Sequence, residues 1–280
     1  MFDDEAFAGV DAATISKWER GSITPPTNRM RHLLRFFQEQ TRLSLPCWDK
    51  ADEAVLEKRL LEGRIEKIVG HPKHMVMNAP VTIAFDRGFA MQSLRGIDHY
   101  DKVLELVSIM LKEVNPAFNR IDAETLQSWI EFPNHLFQAV TFKKSLTLGI
   151  LFALRLKPKS FDALFDYTRQ KNELTAEDFA QNHEEAKLYL LSFFAMTPAV
   201  GSMLMARLFA HLIVHQKKIL EAGFITALDE AGKIGEKMGL KKIDTHTVEG
   251  VSVNSYRADL FSIFSSDLLL RTLFDKSHSF

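Results

Sequence analysis

A chain of 280 residues is long enough for two domains and a sizeable core. Its formal charge of -1, with 25% of residues charged, is that of an ordinary soluble globular protein, so whole-chain charge gives no hint of nucleic acid. One cysteine, Cys47, excludes an internal disulfide and argues for a reducing compartment. Met1 is followed by acidic residues rather than a basic and then apolar leader, and the apolar runs 146–156 and 189–200 are too short or interrupted to span a bilayer. The expected location is cytoplasmic, with no membrane partner.

In chain order, residues 3–10 suffice for a short helix. Residues 12–20 follow with Ile15 and Trp18 three apart, able to share an inward face, while Ala13, Thr14 and Lys17 point outward. Gly21 supplies a stop, and Pro25 and Pro26 keep the turn from continuing the helix. Met30, Leu33, Leu34 and Phe37 form the stripe of the next helix. Between positions 12 and 46, six cations (Lys17, Arg20, Arg29, Arg31, Arg35, Arg42) face Glu19 and Glu39, a local +4 that attracts phosphates.

The run Ile15-Ser16-Lys17-Trp18-Glu19-Arg20-Gly21, with a following proline, resembles the recognition helix and loop of the lambda-repressor/Cro-like (XRE) helix-turn-helix family. The family's usual first helix has no counterpart here. The resemblance implies a DNA-binding transcription regulator acting on double-stranded DNA as a homodimer. Lys17 and Thr14 would touch bases or phosphates, Ala12 and Ala13 would allow close approach to the groove, and Arg20, Ser22 and Asn28 would meet the backbone.

Beyond residue 45 the pattern breaks at Pro46. Residues 49–69 read as a connector helix whose stripe of Leu56, Leu60 and Leu61 suits either a dimer seam or packing on a second domain. A short strand is expected at 81–85. Helices follow at 100–115 and from Asp122 through Trp129, then a hairpin of two apolar runs, 136–142 and 146–156, joined by Lys143-Lys144-Ser145. Next come a helix at 160–169, an acidic segment at 173–185, a buried strand at 189–196 and a long amphipathic helix at 201–222. A strand at 224–227, a helix at 229–238 ended by Gly239, and strands at 243–248 and 256–264 complete the order. His211 and His215 lie four apart, a spacing used by metal sites, but the glutamate of a zinc-protease motif is absent between them, so a packed or surface pair and no metal is the reading.

This order, with Val200-Gly201-Ser202 opening the long helix and Gly235-Glu236-Lys237-Met238-Gly239-Leu240 ending a later one, resembles the GNAT acyltransferase superfamily. The resemblance implies an α/β domain with a mixed, mostly antiparallel sheet and an acetyl-CoA or other acyl-CoA site at Val200, Gly201, Ser202 and Met203, whose bare amides would face a pyrophosphate. Pro198 stands where the family has Arg or Gln, Met203 where it has Gly or Ala, and Gly235 where it carries a tyrosine acid. No catalytic residue is therefore assigned. The expected whole is an α+β multidomain chain: a helix-turn-helix module over 1–45, a helical connector over 46–100, and a GNAT-like domain over 101–280. That last domain would sense a small-molecule effector or hold the dimer, rather than act as an enzyme. The alternative is an active acyl-CoA-dependent N-acyltransferase with a vestigial helix-turn-helix.

Overall fold

The protein is described by a computed structural model over residues 7–20, 22–48, 50–62, 88–114, 121–132, 134–143 and 146–274. Its centre is a seven-stranded sheet in the order β1-β2-β3-β4-β5-β7-β6, with β1 Phe89–Ser93, β2 Leu136–Phe142, β3 Leu146–Leu156, β4 Ala186–Ala195, β5 Ile219–Thr226, β6 Lys241–Val248 and β7 Val251–Asp259. Every neighbouring pair is antiparallel except β4 and β5. The mixed, mostly antiparallel sheet expected from the sequence is present. The expected strand at 81–85, the stop at Gly21, the far end of the connector helix and the side chain of Cys47 lie outside the described residues.

The central strands read as near-continuous apolar runs because both faces are covered: β3 is buried from Leu148 to Leu156. One face carries α4 Tyr100–Val114, α5 Ala123–Ile130 and α6 Pro158–Phe165, which close a core around Trp129, Phe152, Phe161 and Phe179. The other carries the long helix α7, Pro198–Val214, whose apolar residues run around its whole circumference. The reason is a third layer. Leu56 and Leu60 of α3, Glu53–Glu62, and Met30 and Leu34 of α2, Thr27–Thr41, belong to the same hydrophobic cluster as α7. A helix buried on two sides loses its polar face. Of the two fates open to the connector's leucine stripe, packing within the chain is the one realised.

Close approach of α7 to the sheet requires glycine at one point. A Cβ on Gly149 of β3 would overlap the side chain of Val200 and lie 3.1 Å from Leu204. The amino-terminal part of the chain is then tied down by polar contacts. Gln216, just after α7, accepts from the Leu45 amide at 3.1 Å and donates to its carbonyl at 3.0 Å. Arg31 of α2 reaches the Ser265 carbonyl at 2.9 Å and the Asp267 carboxylate at 2.6 Å, and Trp48 stacks on Phe274 at 5.6 Å.

Several elements differ from the sequence expectation. The long helix ends at Val214, capped by His215, and residues 219–226 form β5. Residues 260–264 are the helix α9, Leu260–Phe264, not a continued strand, because the Asp259 carboxylate accepts the Ser262 amide at 2.7 Å and caps it. A last helix α10, Asp267–Phe274, and the edge strand β1 were not anticipated.

Candidate active site

The parallel junction is where this sheet opens. The ladder between β4 and β5 pairs Ala186 with Ile219, Lys187 with Glu221, Leu188 with Ala222 and Tyr189 with Gly223, and there it stops. Both strands continue, β4 to Ala195 and β5 to Thr226, without pairing to each other. Among the described residues, β4 from Leu190 onward has no strand partner on its β5 side.

Ions hold the closed end shut. Lys187 contacts Asp162 at 2.7 Å and Glu221 at 2.9 Å, while Arg257 contacts Glu221 at 2.6 Å and Asp162 at 3.2 Å. These four side chains come from β4, α6, β5 and β7, so the network fixes the strands where they pair. Phe161 and Phe165 of α6 fill the wedge beside Tyr189, with ring centroids 6.4 Å and 6.0 Å from it. Burial pushes the Tyr189 phenol well above its ordinary range.

At the open end β4 hands over to α7. Thr197 caps the helix, its hydroxyl accepting the Val200 amide at 3.2 Å, and Pro198 occupies the first helical position. The four residues read from sequence as a cofactor cradle are all in or beside this first turn. Val200 and Ser202 have buried side chains, Met203 packs against the core, and Gly201 lies 3.5 Å from Ala195 when a Cβ is built on it. The Gly201 amide donates to the Thr197 carbonyl at 3.0 Å and the Ser202 hydroxyl to the Pro198 carbonyl at 2.9 Å. Since Pro198 has no N–H and the amides of Val200 and Gly201 have acceptors, the turn offers at most the Ala199 amide to an anion, alongside the positive end of the helix.

On the β5 side of the junction, Phe224 of β5 stacks on Tyr256 of β7 at 5.2 Å. Both project toward α8, Asp229–Lys237, and two glycines there make room for them: a Cβ on Gly235 would meet the Phe224 ring at 2.6 Å, and one on Gly232 would overlap the Tyr256 hydroxyl. Tyr256 thus places a phenol against the helix on which the resemblance expects a tyrosine. Burial first, then the nearby Glu236 and Asp229 carboxylates, raise its pKa. Sequence reasoning marked Gly235 as a lost acid and passed over Tyr256, because the pairing of Tyr256 with Phe224 spans thirty-two positions and leaves no local signal.

The residues read as DNA contacts are elsewhere. Ala12, Ala13, Lys17, Arg20, Ser22 and Asn28 are exposed, and the amide of the half-buried Thr14 is held by the Asp11 carboxylate at 2.7 Å. Helix α1, Ala12–Glu19, which carries Ala12, Ala13, Thr14 and Lys17, buries none of its eight residues, while Asn28 lies on α2.

No family model matches the chain, and no curated protein sequence matches it. Solved structures do. An Arabidopsis thaliana Naa50 in complex with the bisubstrate analogue CoA-Ac-MVNAL shares 13% identity, covering 61% of this chain and 99% of its own, with a TM-score of 0.39. FeeM, an N-acyl amino acid synthase from uncultured soil microbes, shares 11% over 65% of this chain and 96% of its own, with a TM-score of 0.45. Ard1 from Thermoplasma volcanium shares 14% over 62% and 98%, with a TM-score of 0.38. Likeness at this level assigns no residue a role.

The reading of the chain as an XRE-type transcription regulator is corrected. Ile15 and Trp18, expected to anchor a recognition helix, stay half-exposed on a helix with no core of its own. Two of the cations counted toward phosphate attraction are engaged at the carboxyl-terminal helices: Arg31 on Asp267, and Arg35 over the Phe261 ring at 5.4 Å. Among the described residues, no helix is long and apolar enough to cross a membrane.

Proposed function

We propose that the sheet region is an acyl-CoA-dependent N-acyltransferase whose thioester substrate lies in the cleft between β4 and β5. The observation that carries this reading is the interrupted parallel ladder, which ends at Tyr189 and Gly223 although β4 runs six residues further. A strand edge in a cleft has backbone groups that want partners, and the two amides of a pantetheine arm are linear partners of the right kind. Ligands of open α/β sheets collect where parallel strands part at their carboxyl ends, and the positive end of α7 stands at that point. The order of strands and helices from β2 to β7 agrees with the acyltransferase resemblance drawn from sequence.

Tyr256 takes the role of general acid in this reading. An amine attacks the thioester carbonyl, the tetrahedral intermediate collapses with cleavage of the carbon–sulfur bond, the departing thiolate takes a proton from the phenol, and the proton shed by the amine restores the phenol. A raised pKa keeps that phenol protonated at neutral pH, the state an acid needs. A second reading, thioester binding without turnover, is favoured by Pro198 and by the two committed amides of the α7 turn, which leave little for a pyrophosphate.

The test is amine-dependent release of free thiol from acetyl-CoA and longer acyl-CoAs by the full chain, beside calorimetric binding. Turnover that falls about a hundredfold or more in Tyr256→Phe, with binding retained, supports the enzyme reading. Binding without release supports the second. Absence of binding overturns both.

A further inference from the structure

We propose that Glu53, His211 and His215 form a zinc-type metal site that pins α3 to α7. One ligand atom from each lies within 4.8 Å of the other two. Two histidines and one glutamate are a recognised zinc donor set, completed by water or another ligand in the fourth position. The set is assembled from two elements far apart in sequence. His211 and His215 share one face of α7 at helical spacing, with ring centroids 4.4 Å apart, and Glu53 opens α3 directly across from them.

The distances suit an ion. The Glu53 Oε1 to His211 Nδ1 separation is 3.1 Å, and a tetrahedral ion with bonds of 2.0–2.1 Å separates its ligand atoms by about 3.3 Å. An ion would enter with small side-chain shifts, taking the place of the shared hydrogen. The charge surroundings leave Glu53 available. Arg207, the neighbouring cation, sits closer to Glu57, at 3.3 Å, than to Glu53, at 3.8 Å. The site is reachable, since the Glu53 side chain keeps 24% of its surface exposed and His211 11%.

The location gives the site a purpose. α3 is the element that covers the outer face of α7, and an ion shared between them would fix that layer.

Titration of cobalt(II) into the chelator-treated full chain tests this by the visible absorption that cobalt shows in a low-symmetry nitrogen and oxygen site. One equivalent should saturate the signal, zinc should displace it, and zinc should raise the melting temperature. Glu53→Gln, which keeps shape and packing, and His215→Ala should each weaken binding at least about tenfold. If His215→Ala does not fold, Glu53→Gln carries the test. A wild-type chain that gives no saturable one-to-one signal, or a signal unchanged in the variants, overturns the site.

Discussion

The amino-terminal helices and the sheet region teach opposite lessons about motifs. In the first, the local pattern is sharp: Ile15, Trp18 and Glu19 stand at the spacing of a DNA-reading helix. Yet α1 buries nothing, α3 spends its apolar face on α7, and α2 packs against the carboxyl-terminal helices α9 and α10. In the second, the local motif is worn, with Pro198, Met203 and Gly235 at positions where the resemblance expects other residues. The sheet around it nonetheless forms, with one parallel junction whose ladder stops at Tyr189 and Gly223. A motif records a local geometry, whereas chemistry depends on what that geometry is packed against.

Variants break or sharpen this contrast. The largest effect should come from Leu60→Ala, since Leu60 is fully buried between α3 and α7. A loss of about 2–5 kcal/mol in a single cooperative denaturant transition is expected. Separate melting of an amino-terminal unit would break the claim that the two regions share a core. Next is Gly149→Ala on β3, where a methyl group meets Val200 and Leu204. It should cost about 1–3 kcal/mol and disturb the start of α7 more than α2, which backbone hydrogen exchange would map.

Acid should act on the sheet region through His135. Burial, with Arg95 and Arg155 nearby, lowers its pKa to about 3, and its Nδ1 accepts the Arg155 amide at 3.1 Å. The folded state therefore binds this proton less readily than the unfolded chain. Its contribution is intact above the unfolded value of 6.5 and is lost as pH falls toward 3, with a slope of about 1.4 kcal/mol per pH unit. Urea midpoints across that window should show the decline, and His135→Gln should flatten it. The smallest effect belongs to Arg31→Ala at the amino-terminal contact with Asp267. That pair is about half exposed, so a change of about 0–1 kcal/mol that shrinks with salt is expected.

The hairpin of β2 and β3 was legible because two apolar runs flank a short polar turn, and the start of α8 and its stop at Gly239 were legible from local chemistry, with Gly239 at φ +91°. The end of α7 was not. A helix buried on both sides carries apolar residues all round, so its pattern runs unbroken into the apolar residues of β5, with His215, Gln216, Lys217 and Lys218 as the only punctuation. The α7 turn was found from Gly201, but the commitment of its amides to Thr197 depends on coordinates that spacing does not encode. Tyr256, the open edge of β4 and the Glu53–His211–His215 cluster are products of non-local pairing. A single sequence shows the members of such sets without showing that they meet.

The central claim, that an acyl-CoA lies along the free edge of β4, is tested most directly by hydrogen exchange of the full chain with and without acetyl-CoA. Slowed exchange concentrated at the backbone amides of residues 190–195, and in the first turn of α7, is the predicted result. Exchange unchanged along β4 at a saturating concentration, or protection confined to α1 and α2, would contradict it.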